Sequence, residues 1–376
     1  MIKISLMLSM LIAMSCAQLN FGQTSKLWGV TSSHGAHNSG TIFNIDTNGS
    51  NFTKVHDFDG STGYPFASLT LCNNTLWGMT QGTDNKGTIG DHGIIFSIKT
   101  DGTEFTRVHY FNSLNGGAPL GELIEHNGKL WGMTYRGGTY NKGVIFYINI
   151  DGRGFTKVHD FNETEGSHPR NSLLLHKGKF WGTTSRGGSN QMGVIFTINL
   201  DGTNFTTKYH FDKTNGGKPE SGLVLSQNKL WGTTTRGGIH NEGSVFSIDT
   251  DGKAFTKVSD LIYPVLGDLI VSNNKLWGMV ALRGDHNCGI IFTIDPTTNE
   301  YKDVHHFDRI NGRFPEGNLM ESNGTLWGLT RFGGSNDIGV IFSIAMDGSE
   351  FSKVFDLNIE TGGVPYGTLL EAPIKN

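Results

Sequence analysis

The chain has 376 residues, of which 53 are Gly, twice the usual ~7%, and only 17% are charged against a usual ~25%. Aromatic residues make up 11%, with 24 Phe and 7 Trp, which excludes a disordered chain, and the glycines keep no period of three, which excludes collagen. A formal charge of −4 gives no electrostatic footprint for nucleic acid, so what remains is a turn-rich, aromatic-rich fold of many short strands.

The N-terminus reads as an export signal. Lys3 is the only early charge, and residues 4–14 are mostly apolar but too few to span a bilayer. Ser15-Cys16-Ala17 fits a small-x-small cleavage site, which gives a signal peptide over 1–17 and a short linker over 18–25. Ala13-Met14-Ser15-Cys16 also reads as a lipoprotein box, with Cys16 as the lipidated residue. The expected location is extracellular or periplasmic, with an outer-membrane lipid anchor as the second reading. No later run is apolar and long enough for a transmembrane helix. Cys72 and Cys288 share no metal-like spacing, so no disulfide framework is expected; a single long-range bridge between them is left open.

From Trp28 onward the chain repeats. Trp28, Trp77, Trp131, Trp181, Trp231, Trp277 and Trp327 lie 46 to 54 residues apart, and each is followed by Gly. Seven prolines keep the same rhythm: Pro65, Pro119, Pro169, Pro219, Pro264, Pro315 and Pro365. In the unit around Trp131, four strand-like stretches are predicted at 120–125, 130–134, 144–148 and 155–161. Asn127-Gly128 and Asp151-Gly152 mark hairpins, because such turns need φ > 0. The third stretches, such as Val194-Ile195-Phe196, are apolar without alternation and so need cover on both faces. The fourth are more polar, as suits an outer edge, although their alternation is not clean.

Four strands in a repeat of ~40–50 residues predict a β-propeller. The fold expected is all-β: a single seven-bladed propeller over 26–371, four antiparallel strands per blade, with 372–376 as a tail. No first stretch precedes Trp28, and an extra one, 366–371, follows the seventh unit. The C-terminal strand is therefore expected to complete the first blade. The repeat Trp residues are its structural core.

The segment 179–188 (KFWGTTSRGG) followed by 193–202 (GVIFTINLDG) resembles the Gloeo/Verruco (GloVer) tandem repeat of bacterial extracellular proteins. That family usually has Tyr where this chain has Trp. The resemblance covers Lys26 to Glu371 and implies export and a propeller-like array. It implies no reaction, since the family carries no agreed catalytic residues. The hairpin order is also similar, more distantly, to Kelch propellers.

Antiparallel succession puts the four-to-one and two-to-three loops on one face, and loops on a rigid scaffold commonly carry function. Three features mark that face. Arg136, Arg186, Arg236, Arg283 and Arg331 follow the Trp strands and suit carboxylate, sulfate or phosphate groups; the alternative is that each tethers a neighbouring loop. Residues after the repeat proline vary among the units (Phe66, Leu120, Arg170, Glu220, Val265, Glu316 and Tyr366, with Glu twice), and Arg170, Glu220, Glu316 and Tyr366 are the polar candidates for a channel mouth. The loop at 261–264 is five residues short, which would open a groove near Tyr263, Arg283, Asp285 and His286, and the loop at 81–92 is four residues long of its equivalents.

His56, His109, His159 and His305 share one column of the fourth stretch, which argues for structure; His34, His37, His92, His168, His240 and His286 are irregular and lie on the loop face. No His-Glu-x-x-His, Cys-x-x-Cys or Gly-x-Ser-x-Gly motif occurs, so neither metal nor other cofactor is expected and no catalytic residue is assigned. Asp46-Thr47-Asn48-Gly49 and Asp249-Thr250-Asp251-Gly252 lack the distal Glu of a calcium loop and read as turns. The function expected is a monomeric, non-catalytic propeller that binds extracellular glycans or surface proteins. A polysaccharide lyase or hydrolase at the same face, and a structural domain of a cell-surface assembly, are the alternatives.

Overall fold

In every repeat the Gly after Trp stands opposite the Phe of the third strand, Gly132 opposite Phe146 for example. A Cβ on Gly132 would lie 2.6 Å from the Phe146 ring, and the other six glycines of this column meet their Phe at 2.3–2.7 Å. The Phe ring lies across the glycine, which is why Trp-Gly and a distant Phe recur together.

A computed structural model describes residues 25–61, 63–82 and 92–374. They form seven four-stranded antiparallel sheets, the blades of a β-propeller. In the blade around Trp131 the order from axis to rim is Ile124–His126, Lys129–Thr134, Val144–Asn149 and Thr156–Asp160. The third strands are fully buried at Val144, Ile145 and Phe146 and at their equivalents. The core clusters straddle blades: Trp131 packs with Phe180, Val194 and Phe196 of the next sheet. Both faces of each sheet are thus covered, as the continuous apolar runs require.

The outer strands explain their own irregular pattern. Ile145 pairs with His159, but the adjacent Phe146 pairs with Lys157, so Val158 is bulged out of the ladder. The same shift occurs in all seven blades. A bulge breaks the period of two, and it turns the column residue toward the neighbouring blade. His109 stacks on Phe155 with centroids 3.8 Å apart and His305 on Phe351 at 3.6 Å. Tyr209 does the same on Phe255 and Phe355 on Phe52. The histidine column is therefore an inter-blade aromatic weld. Burial holds these imidazoles well below their ordinary range, His109 and His305 at about 4.

The ring closes as expected. The C-terminal strand Leu370–Pro373 pairs with Ser25–Val30, Trp28 opposite Leu370 and Lys26 opposite Ala372, and supplies the innermost strand of the first blade. Closure covers the edge of Ser25–Val30 that would otherwise be unpaired. Cys72 and Cys288 are buried thiols in different core clusters and form no disulfide, so the long-range bridge is not formed. Among the described residues no helix is long and apolar enough to cross a membrane. The export signal with Cys16, and most of the long loop at 81–92, lie outside the described residues.

Candidate functional site

The innermost strands alternate, so every second side chain faces the propeller axis. Residues on the other side of these strands meet the neighbouring blade, and they are small for that reason. A Cβ on Gly267 would fall 2.3 Å from the Gly317 carbonyl oxygen, and one on Gly317 would fall 2.5 Å from that of Gly367. This close approach draws the seven strands around a narrow axial cavity of about 130 Å³, room for several waters.

Two layers line it. The upper layer is the predicted mouth with one exchange. Val265, fully buried, occupies the proline slot of its repeat, and Leu266 takes the lining position expected of Val265. The loop ahead of it is therefore four residues short, not five. At the mouth Phe66 stacks on Tyr366 with centroids 4.1 Å apart and planes 22° apart. The Arg331 guanidinium lies 4.7 Å from the Tyr366 ring centre and donates to both Glu316 carboxylate oxygens, at 3.2 and 3.4 Å. Arg170 pairs with Glu220 at 3.6 Å. Burial raises the Glu316 carboxyl and the Tyr366 hydroxyl above their ordinary values, with Arg331 opposing both.

Two residues deeper, the second layer carries a chain of inter-blade hydrogen bonds around the axis. The backbone N–H of Glu122 donates to Ser172 Oγ at 2.7 Å, that of Gly222 to Asp268 Oδ1 at 2.5 Å, and that of Asp268 to Asn318 Oδ1 at 2.5 Å. Asn318 N–H donates to Thr368 Oγ1 at 3.3 Å and Thr368 N–H to Ser68 Oγ at 2.8 Å. Two members are carboxylic acids. Burial pushes Glu122 up to about 7, and the charge of Asp268 adds to this against a hydrogen bond from Ser68. Asp268 is likewise raised by burial, against the Gly222 N–H and Asn318.

The structure separates the predicted arginines. Arg136, Arg186 and Arg236 share a register on the exposed rim, where their backbones bridge to Gly117, Ser167 and Gly217. In the seventh unit Phe332 holds that register, and Arg331, one residue earlier, turns to the axis. Arg283 turns outward, donating to the Tyr301 hydroxyl at 2.8 Å and pairing with Asp303 at 3.2 Å. His286 is exposed on the rim, and Asp285 pairs with His306 at 3.0 Å. His168 is an irregular histidine whose ring meets Tyr135 edge-on. Burial, with Arg186 and Lys142 nearby, lowers it to about 4. Arg170, Glu220, Glu316, Tyr366 and Arg331 thus share the mouth; Arg136, Arg186, Arg236, Arg283 and His286 do not. The two acid turns at 46–49 and 249–252 are β-turns, closed by Gly49 N–H to Asp46 O and Gly252 N–H to Asp249 O. Among the described residues no group of three or more His, Cys, Asp and Glu side chains is placed to hold a metal ion.

Glu122 and Asp268 were not singled out by the sequence pattern, although a signal exists. Each precedes the repeat Leu of its innermost strand (Leu123 and Leu269), in a column otherwise filled by Ser, Gly, Asn and Thr.

The Gloeobacter/Verrucomicrobia repeat model matches residues 82–262 and 254–374. The chain belongs to this repeat family. No curated protein matches the sequence. Among solved structures, the Pseudomonas aeruginosa periplasmic gluconolactonase is 14% identical, with 93% of this chain and 99% of that chain covered at a TM-score of 0.61. A candidate 6-phosphogluconolactonase from Bacteroides fragilis is 14% identical, with 95% and 99% covered at 0.60. The GH74 enzyme of Niastella koreensis is 16% identical, with 87% of this chain and 54% of that chain covered at 0.60. At these identities the likeness is one of fold. A likeness to Kelch propellers in particular finds no support in these neighbours.

Proposed function

We propose that this member of the repeat family is an exported, monomeric carbohydrate-binding propeller whose ligand seats on the axial mouth of the loop face. The observation that carries the reading is the Phe66–Tyr366 stack, flanked by the Arg331–Glu316 and Arg170–Glu220 pairs. The accessible parts of these two half-buried rings offer a sugar apolar contact, and fixed carboxylate and guanidinium groups offer partners for its hydroxyls. It is also a place where the repeats vary while the Trp-Gly and Phe scaffold stays constant. Export is supported by the N-terminal leader, by the family and by the periplasmic relative of the same fold.

A glycan array probed with the purified chain and with Tyr366→Ala tests this. Retention of some glycan by the parent and its loss in the variant is the expected result. No retention across neutral, amino and acidic glycans would sink the reading.

A hydrolytic reading draws on one further observation, Glu122. A carboxyl held near 7 in an aqueous channel is suited to general acid–base work. Release of acid from gluconolactone, lost in Glu122→Gln, would favour it over simple binding.

A further inference from the structure

The charge of the mouth narrows the ligand class, an inference that rests on the axial mouth being the sugar site. Its two arginines are each taken up by a glutamate, Arg331 by Glu316 at 3.2 Å and Arg170 by Glu220 at 3.6 Å. Below them Glu122 and Asp268 line the same cavity, with Ser68, Gly222 and Asn318 as partners and no cation among the described residues. The axial site therefore carries four carboxyl groups against two guanidiniums. The exposed Arg136, Arg186 and Arg236, which would suit an anionic glycan, are not part of the cavity lining.

Size agrees with charge. The cavity of about 130 Å³ between the innermost strands has room for several water-sized groups, an ammonium among them. Strand geometry sets the second layer roughly 7 Å below the first, two residues at ~3.3 Å each. A sugar held at the mouth thus has the second-layer carboxyls below it along the axis.

We propose that the mouth selects sugars bearing a free primary amine, with the ammonium entering the axial cavity toward Glu122 and Asp268, and that it disfavours uronates and sulfated sugars. An ammonium there supplies the cation the two carboxyls lack, while a carboxylate or sulfate would meet them as like charge. The elevated Glu122 is consistent with two acids facing one cavity, and a bound cation would lower it.

Titration calorimetry on the mature chain tests this with three hexasaccharides: fully deacetylated glucosamine, its N-acetylated counterpart and oligogalacturonate. The expected order is glucosamine tighter than N-acetylglucosamine by about tenfold, the value of one charge-assisted hydrogen bond, with galacturonate weakest. Glu122→Gln keeps an acceptor for Ser68, and Asp268→Asn keeps one for the Gly222 N–H while giving up the Asn318 amide contact; each should shrink the ratio of glucosamine to N-acetylglucosamine affinity. Galacturonate binding as tightly as glucosamine overturns the proposal, and so does an amine preference that survives both substitutions. N-acetylated binding without amine preference defeats this inference alone; no binding by any of the three defeats the sugar-site reading as well.

Discussion

Phe66 and Tyr366 stack at 4.1 Å from opposite ends of the chain. Tyr366 belongs to the C-terminal segment that finishes the first blade, and Phe66 opens the innermost strand of the second. The contact therefore joins two blades at the seam and lines the axial cavity. Tyr366→Ala should weaken sugar binding about tenfold, the scale of an aromatic contact, and lower the melting temperature only slightly. Removing 366–376 should instead prevent folding, because Ser25–Val30 loses its partner strand. Calorimetric binding and thermal melts of the two variants distinguish the roles. Equal loss of folding in both would show that the stack is structural alone.

The repeat tryptophans are core and not ligand contacts. Trp181 is 3% exposed and packs with Ile195, Phe211, Leu230 and Phe246 across two blades. Trp181→Ala should cost roughly 3–5 kcal/mol, read as a fall in the urea midpoint. An unchanged midpoint would refute the inter-blade packing.

Blade number, strand count and ring closure were legible in the sequence because packing repeats them: Trp-Gly opposite Phe, Pro ahead of the innermost strand, and one unmatched stretch at the end. The arginines were harder. Grouping by loop places Arg331 with Arg136, yet Arg331 is four residues after its Trp and Arg136 five, and a shift of one position in a strand turns a side chain to the other face, so Arg331 reaches Glu316 and Tyr366 at the mouth while Arg136 is exposed. Val265 misled for a related reason: Pro264 stands one residue ahead of the slot that Val265 fills. Glu122 and Asp268 were hidden because a polar residue before Leu is common, and only convergence on an axis gives it meaning.

Acid should loosen the inter-blade weld. His305 has an ordinary value of 6.5 and about 4 when folded, because stacking on Phe351 removes it from water. The unfolded chain binds that proton first, so stability falls as pH drops from 6.5 to 4 and then levels off. Phe355 shows that the column accepts Phe. His305→Phe should lose less melting temperature than the parent between pH 7 and 4.5, by about 2 °C or more. Parallel melting curves in the two proteins would refute a neutral, stacked imidazole.

The rim arginines should be dispensable for binding at the mouth. Changing Arg136, Arg186 and Arg236 together to Ala removes three exposed positive charges and touches neither the Arg331–Glu316 nor the Arg170–Glu220 pair. Sugar affinity should stay within about twofold, since charges on a rim act mainly on association rate. Loss of binding in the triple variant, with the fold intact by circular dichroism, would move the site from the axis to the rim.

Glu122 makes the opposite pH statement to the histidines. Its ordinary value is 4.5, and burial raises it to about 7 when folded. Between those values the folded chain keeps a proton that the unfolded chain has released. Its contribution is thus fully present below 4.5 and lost as pH rises to 7. Glu122→Gln carries no charge at any pH and keeps a polar group for Ser68. The variant should match the parent at pH 4 and exceed it at pH 8. The gain should be about 1–2 kcal/mol, less than the full shift implies at 1.36 kcal/mol per unit, because channel water screens the carboxylate. Urea unfolding at the two pH values reads this directly. A variant less stable than the parent at pH 8 would mean that Glu122 is ionised and held by a partner in the folded chain, and it would remove the general acid–base reading along with it.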